Sequence, residues 1–342
     1  MRILVTGGAG FIGSHYVRTL LSGGYPGYED AEVTVLDKLT YAGNQRNLDP
    51  VRDDPRYRFV KGDIADPGVV GELAPDCDVI VNFAAESHVD RSLEAPGQFI
   101  MTDVYGTYVL LEAARSAGHA RFLQVSTDEV YGDVGAGRSR EGDPLRPRSP
   151  YSASKAGGEM LVQAYRASHG LPAIVTRGSN TYGWNQYPEK IIPLFITNAL
   201  EDRPLPIYGD GRAVRDYIFV EDHCRGIDLA LRRGIPGEDY NIGAGREISG
   251  TTVADAVLRL LGKPPELKQF VSDRPGHDRR YAIDASKLRA LGWEPRIDFD
   301  RGMKLTVRWY AEHEEWWRPL KSGEFWEFYR RNYRPVGPGA PG

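Results

Sequence analysis

Short apolar runs punctuate the first half of the chain, at residues 2–6, 32–37, 58–63, 78–83, 121–127 and 173–177. They are too continuously apolar to be half-exposed strands. Such runs read as parallel strands covered on both faces. Stretches of helical period lie between them, at 11–21, about 95–117 and 150–169. Strands alternating with helices predict an α/β fold built on a doubly wound parallel sheet. Beyond Arg177 the pattern loosens, and Gly, Pro, Asn and Tyr are dense from 178 to 216. Further strands are predicted at 217–220 and 238–242, and a helix at 252–261. An aromatic, charged and largely helical stretch follows at about 309–333, broken near Pro319. The Pro/Gly-rich segment 334–342 is expected to be poorly ordered.

Composition narrows the class. Of 342 residues, 41% are apolar and 26% charged, with 39 Gly and 23 Pro, which excludes collagen-like and disordered chains. No apolar run approaches the roughly 18 residues of a spanning helix, and the N-terminus has no signal-peptide pattern. A net charge of -4 with mixed signs argues against a nucleic-acid surface. Cys77 and Cys224 have neither disulfide-framework nor metal-ligand spacing. The expectation is a soluble cytoplasmic protein, with no metal, no membrane and no nucleic-acid partner.

The first run leads directly into Gly7-Gly8-Ala9-Gly10-Phe11-Ile12-Gly13, which holds glycines at 7, 10 and 13 and opens a helix. The first glycine permits a tight turn, the second lets a pyrophosphate approach backbone N–H groups, and the third allows close helix–strand packing. A lone glycine pattern can be merely a tight loop. Here the next strand ends in Asp37, an acid placed to accept ribose hydroxyls. A carboxylate there repels a 2′-phosphate and favours NAD over NADP, although Lys38 beside it pulls the other way. Asp63, ending the third strand, either reaches the adenine edge or serves a turn or cap before Pro67. Residues 1–177 with about 215–245 are therefore read as an NAD-binding Rossmann domain. A smaller α/β C-terminal lobe, about 178–214 and 246–330, is read as holding the substrate.

Two more constellations carry chemistry. Tyr151 and Lys155 are four apart at a helix start and share a face. A nearby ammonium is expected to lower the phenol's pKa, so that Tyr151 can accept a hydroxyl proton. Thr127, Asp128 and Glu129 follow the fifth strand, where this fold places chemistry. A bare Asp-Glu pair reads as helix capping. In a site, burial and repulsion separate such a pair into one acid and one base.

The glycine loop and Tyr151-x-x-x-Lys155 resemble the extended short-chain dehydrogenase/reductases, the NAD-dependent epimerase/dehydratase family. Within it the chain resembles the branch that dehydrates dTDP-glucose. The distinguishing segments are 84–92, 126–132, 188–193, Arg215-Asp216-Tyr217 and 273–278, and the resemblance runs to about residue 330. It implies oxidation of the sugar at carbon 4 as Tyr151 takes the hydroxyl proton, assisted by Thr127. Glu129 then removes the carbon 5 proton, Asp128 protonates the departing carbon 6 hydroxyl, and hydride returns at carbon 6. The implied catalytic set is Thr127, Asp128, Glu129, Tyr151 and Lys155. The implied NAD groove comprises Gly7, Gly10, Phe11, Ile12, Gly13, Asp37, Lys38, Leu39, Thr40, Asp63, Ile64, Phe83, Ala84, Ala85 and Thr102, with Tyr151 and Lys155. The implied sugar-nucleotide site comprises Ser87, Thr127, Asn180, Lys190, Ile191, Pro206, Tyr208, Arg215, Arg274, His277 and Tyr281. Taken alone, Arg215 and Arg274 read equally as surface salt bridges, Lys190 as a solvated helix face and His277 as a structural turn residue.

The resemblance also implies a homodimer formed through a four-helix bundle of the segments near 102–117 and 151–169. Two positions depart from the family pattern. Gly250 stands where an Asn contacts the nucleotide, and Thr181 stands where a second Asn is common. A sugar-nucleotide epimerase or decarboxylase would use Tyr151 and NAD but has no need of the acid pair. A protein that senses NAD without turnover would need neither Tyr151 and Lys155 nor the acid pair, and all four are present. The linking stretch Tyr25-Pro26-Gly27-Tyr28 has no assigned role.

Overall fold

The computed structural model describes residues 1–333, so the 334–342 segment lies outside the described residues. The strands are β1 (Arg2–Thr6), β2 (Glu32–Asp37), β3 (Tyr57–Lys61), β4 (Val79–Asn82), β5 (Arg121–Thr127), β6 (Ala173–Gly178), β7 (Asn180–Tyr182), β8 (Leu205–Tyr208), β9 (Val214–Phe219), β10 (Asp239–Ile242), β11 (Glu247–Ser249) and β12 (Lys268–Val271). The helices are α1 (Phe11–Leu21), α2 (Pro67–Leu73), α3 (Val89–Glu94), α4 (Pro96–Phe99), α5 (Thr107–Ala117), α6 (Pro150–His169), α7 (Ile191–Leu200), α8 (Val220–Arg233), α9 (Gly250–Leu261), α10 (Ser286–Ala290), α11 (Phe299–Glu312), α12 (Glu314–Trp317) and α13 (Gly323–Asn332).

Among the described residues, seven strands form one parallel sheet in the order β10-β6-β5-β4-β1-β2-β3. Side chains alternate across it with a period of two. Ile3, Val5, Val33, Val35 and Val81 pack on one face with Tyr16, Val17 and Leu20 of α1 and Ile227 and Leu231 of α8. Leu4, Leu36, Ile80 and Phe122 pack on the other with Leu110 of α5 and Val162 of α6. Both faces are covered, which is why these strands read as continuous apolar runs.

The lobe grows from excursions after β6. β7, β9 and β11 form a small sheet, in which β9 pairs parallel with β7 and antiparallel with β11. β12 pairs parallel with β8. Helix α7 is buried from Ile192 to Ala199, and α9 and α11 pack on it. The chain returns to the main sheet at β10, next to β6.

The predicted helix at 95–117 is continuous but not uniform. Its middle, Ile100–Gly106, is a π turn between α4 and α5. The stretch predicted from 309 begins earlier, at Phe299, and breaks into α11, α12, a 3-10 turn over Arg318–Leu320, and α13. Among the described residues no helix is long and apolar enough to cross a membrane.

Candidate active site

Three cavities run end to end along the carboxyl ends of the strands, where an open parallel sheet places its ligands. The first, about 560 Å³, is lined by Gly7, Gly10, Asp37, Lys38, Thr40, Asp63, Ile64, Phe83, Ala84, Ala85 and Thr102. The central one, about 1170 Å³, shares Gly7, Gly10, Phe83 and Ala85, and adds Phe11, Ile12, Gly13, Ser87, Thr127, Glu129, Tyr151 and Lys155. The third, about 920 Å³, shares Glu129, Asn180 and Lys190 with the central one. It adds Ile191, Pro206, Tyr208, Arg215, Arg274, His277 and Gly250.

The first cavity fits a dinucleotide. Gly7 sits at φ +67°, and a Cβ there would lie 2.5 Å from the Ala84 amide nitrogen. A Cβ on Gly13 would lie 2.4 Å from the Gly7 carbonyl. The loop has room for backbone only, so its N–H groups at the start of α1 stay open to a phosphate. Asp37 is buried at the end of β2, and it accepts from Ala9 N at 2.9 Å and Leu39 N at 2.8 Å. These bonds tie the loop to the strand and leave carboxylate lone pairs for ribose hydroxyls. Asp63 pairs with Lys38 at 2.6 Å and lines the groove, while Asp66 caps α2. Leu39 lies outside this lining, with its side chain packed on the core.

At the centre, Ser149 caps α6 through a reciprocal pair of bonds with Ser152, with Pro150 in the first turn. This start directs Tyr151 and Lys155 into the same cavity. Lys155 Nζ donates to the Val125 carbonyl at 2.9 Å. The predicted effect of Lys155 on Tyr151 does not hold in the folded chain. Burial first, and then the charges of Glu129 and Asp103, push the phenol pKa well above its usual value, with the Thr127 hydroxyl pulling it back. Burial lowers the pKa of Lys155 itself, against the pull of Asp103 and Glu159.

The two carboxyl groups after β5 have different surroundings. Asp128 is buried, with Oδ1 3.3 Å from the Thr127 hydroxyl and Oδ2 without a partner. Burial, reinforced by the charges of Glu129 and Asp216, pushes its pKa well above the usual carboxylate value, which favours the protonated form. Glu129 opens onto both the central and third cavities. Asp128 does not line them in this conformation, and neither does Tyr281, whose hydroxyl bonds Asp278 at 2.6 Å and lies 3.5 Å from Glu129.

The third cavity brings its four basic residues together. Arg274 pairs with the buried Asp90 at 3.1 Å, and the Tyr208 hydroxyl donates to Asp90 at 2.9 Å. Arg215 is buried, donates to the Val214 and Asp278 carbonyls, and lies 4.2 Å over the Tyr281 ring. Lys190 lines two cavities, and His277 Nδ1 is 2.6 Å from Asp273. Arg215 is buried, and Lys190, Arg274 and His277 are half-buried at the cavity wall, with the His277–Asp273 contact also fitting a structural turn residue. Gly250 opens α9 at the cavity wall, where a Cβ would meet only Gly211 O and Ile191 Cδ1, both at 3.7 Å.

Several residues without a predicted role belong to the site. Asp103, in the π turn, accepts from Ser154 Oγ at 2.6 Å and Glu86 N at 3.0 Å, and burial pushes its carboxyl up to about 6. His223 lines the central cavity, its Nδ1 2.7 Å from the Thr181 hydroxyl, so the Thr181 departure from the family pattern is filled by a hydrogen bond. Tyr333 follows α13 into the third cavity and packs 5.3 Å from Tyr208. No local motif announces these three, because each acts through a partner distant in sequence. Tyr25 and Tyr28 are buried in the core, Tyr25 against Tyr16, which gives that linking stretch a structural role.

The chain matches the GDP-mannose 4,6 dehydratase family over residues 4–306. It is 51% identical to a dTDP-glucose 4,6-dehydratase of Actinoplanes sp. over 93% of this chain and 100% of that one. The fold is similar to that of the solved dTDP-glucose 4,6-dehydratase DesIV of Streptomyces venezuelae, a structure with NAD bound. There the TM-score is 0.92 and the identity 52%, covering 94% of this chain and 100% of that one. It is also similar to the solved dTDP-glucose 4,6-dehydratase of Bacillus anthracis in complex with NAD. That match has a TM-score of 0.87 and 48% identity, covering 94% of this chain and 100% of that one.

Proposed function

We propose, from the premise that this chain belongs to the GDP-mannose 4,6-dehydratase family and stands among its dTDP-glucose 4,6-dehydratases, that it converts dTDP-glucose into dTDP-4-keto-6-deoxyglucose. It is an NAD-dependent hydro-lyase of deoxysugar biosynthesis. Bound NAD supplies a reversible hydride acceptor, loaded from carbon 4 and unloaded at carbon 6.

The chain's residues move the protons. The positive nicotinamide ring of NAD, when bound, and the Lys155 ammonium would favour the tyrosinate against burial, and as that anion Tyr151 takes the carbon 4 hydroxyl proton, with the Thr127 hydroxyl beside it. The resulting ketone acidifies carbon 5, and Glu129 removes that proton. Asp128, whose protonated form burial favours, gives its proton to the carbon 6 hydroxyl, which leaves as water. Glu129 then returns a proton to carbon 5. Arg215 and Arg274 offer planar forks to the diphosphate. The reading rests above all on one arrangement, the buried Asp128 next to a Glu129 that shares a cavity with Tyr151. An epimerase has no use for that pair.

The domain division follows the same logic. Residues 1–177 with about 215–245 hold NAD, and about 178–214 with 246–330 hold the sugar nucleotide. We place the enzyme in the cytoplasm as a homodimer. In support of the dimer, Ile100, Met101, Tyr105, Tyr108 and Met160 are exposed on the helical layer of α4 to α6. Light scattering should give twice the chain mass, and Met160→Glu should halve it.

The deciding assay follows product and cofactor together. dTDP-glucose should yield a 4-keto product with no net NADH. Stoichiometric NADH release, or a carbon 4 epimer alone, would overturn the dehydratase reading. Glu129→Gln should still reduce bound cofactor but lose water about 10³-fold more slowly. Full activity in that variant removes Glu129 as the base.

A further inference from the structure

We propose that Tyr41 is a positioning residue that keeps NAD in its groove between the two hydride transfers, by bridging the cofactor half to the sugar-nucleotide half. The inference rests on the resident-NAD reading above and adds to it the residue that makes the cofactor resident.

Tyr41 lies on the strap that leaves β2 after Asp37. Its neighbours Thr40, Ala42 and Gly43 line the adenosine end of the trench. Its own side chain crosses to the opposite half. The hydroxyl lies 2.7 Å from Glu189 Oε1 and 2.9 Å from the Ser87 carbonyl. Glu189 is 2% exposed and belongs to the loop before α7, which walls both the central and third cavities. The phenol therefore joins a wall of the NAD groove to a wall of the substrate pocket.

The far side of this joint is held rigid. Arg91 of α3 donates from Nε to Glu189 Oε2 at 2.8 Å and lies 3.6 Å over the Tyr41 ring. Phe328 of α13 covers the same guanidinium at 4.8 Å. A buried carboxylate with two charge-assisted partners is costly to leave unpaired, so the joint has a strong closed state. The sequence gives this tyrosine no cofactor-facing role. It faces away from the groove and works by closing it. A dehydrogenase that exchanges NAD at each turnover gains nothing from such a joint. An enzyme that must return the same hydride does.

The test is cofactor exchange in the full-length holoenzyme. Tyr41→Phe keeps the ring under Arg91 and removes only the hydroxyl. Bound NAD is chased with labelled NAD, and turnover of dTDP-glucose is measured with and without added NAD. Exchange should be ~10-fold or more faster in Tyr41→Phe, the scale of one hydrogen bond to a charged group. Turnover without added NAD should fall and be restored by saturating NAD to within about twofold, since one hydroxyl outside the chemistry is removed. Arg91→Lys, which keeps the charge but loses the stacking, should exchange at an intermediate rate.

Exchange in Tyr41→Phe at the wild-type rate overturns the proposal. So does turnover that added NAD cannot restore, which would place Tyr41 in the chemistry or in folding. If the wild-type chain exchanges NAD in every cycle yet forms the 4-keto product, the bridge is wrong and the dehydratase reading stands. If it holds NAD but forms no such product, the dehydratase reading falls while the ratio of exchange rates still decides the bridge.

Discussion

The cofactor groove and the sugar-nucleotide pocket share a trench but are built from different material. The groove is made of backbone: Gly7 and Gly13 leave room for nothing else, and Asp37 serves the loop's own N–H groups. The pocket is made of charge. Asp90 is buried between Arg274, His88 and the Tyr208 hydroxyl, which together hold its pKa below the usual carboxylate value against the upward push of burial. A backbone site fails when any atom is added. A charged site fails when one partner is removed, because the other stays buried and unpaired.

Substitutions at the two ends test that contrast. The largest effect is expected at Gly7→Ala. The left-handed backbone and the clash with Ala84 together cost about 3 kcal/mol or more, and the purified protein should carry no NAD. A thermal melt and a cofactor assay read both. A variant that keeps its NAD would mean the loop yields more than its geometry suggests. At the charged end, Arg274→Met should destabilise by about 3 kcal/mol by stranding Asp90. Its KM for dTDP-glucose should rise about 10- to 100-fold through the lost diphosphate contact, with kcat nearly unchanged. A kcat loss at constant KM would move Arg274 from binding into chemistry.

The seam between the halves gives a smaller, graded effect. His15 of α1 packs on Trp184 and His223 of α8 on Thr181. Burial, with Arg18 adding to it, brings His15 down to about 3, and burial brings His223 to about 4. Both pKa values are depressed, so as pH falls through about 6.5 the unfolded chain takes up protons that the folded chain refuses. Stability is therefore full above about pH 6.5 and falls below it, by up to ~1.4 kcal/mol per histidine per pH unit. Melts at pH 7 and pH 5.5 should show the loss, and His223→Gln should lessen its slope, with His15 and the likewise depressed His88 and His277 keeping the rest. An unchanged slope would place the acid sensitivity elsewhere.

The smallest effect is expected at Gly250→Asn. The open space at its Cβ accepts the side chain, and one added hydrogen bond should shift the kcat/KM ratio of dTDP-glucose to UDP-glucose by at most about 10-fold.

The same contrast governs what was legible in the sequence. A backbone site is written locally: β1, the glycine loop, α1 and the acid ending β2 fall at the predicted positions because strand burial and glycine spacing are short-range properties. The lobe was harder. α7 is buried all round and therefore carries no amphipathic period. β7 and β11 are three residues each, too short to alternate. The joint of Tyr41, Arg91 and Glu189 spans 148 residues of sequence, and no spacing rule reaches that far. The Tyr151 phenol was misjudged because helical spacing shows Lys155 but not the carboxylates and the burial that outweigh it.

The return of the chain to the main sheet has a consequence for how the protein comes into being. β6 is complete at Gly178, but its neighbour β10 begins only at Asp239, after about 60 residues that include the first lobe segment and α8 have been laid down. Until Ile242 has emerged from the ribosome, β6 presents a bare row of peptide groups, a template for pairing with another chain. The halves are thus coupled in folding order as well as in catalysis. A fragment ending near residue 180 would hold every NAD-loop residue and still expose the edge on which misassembly begins.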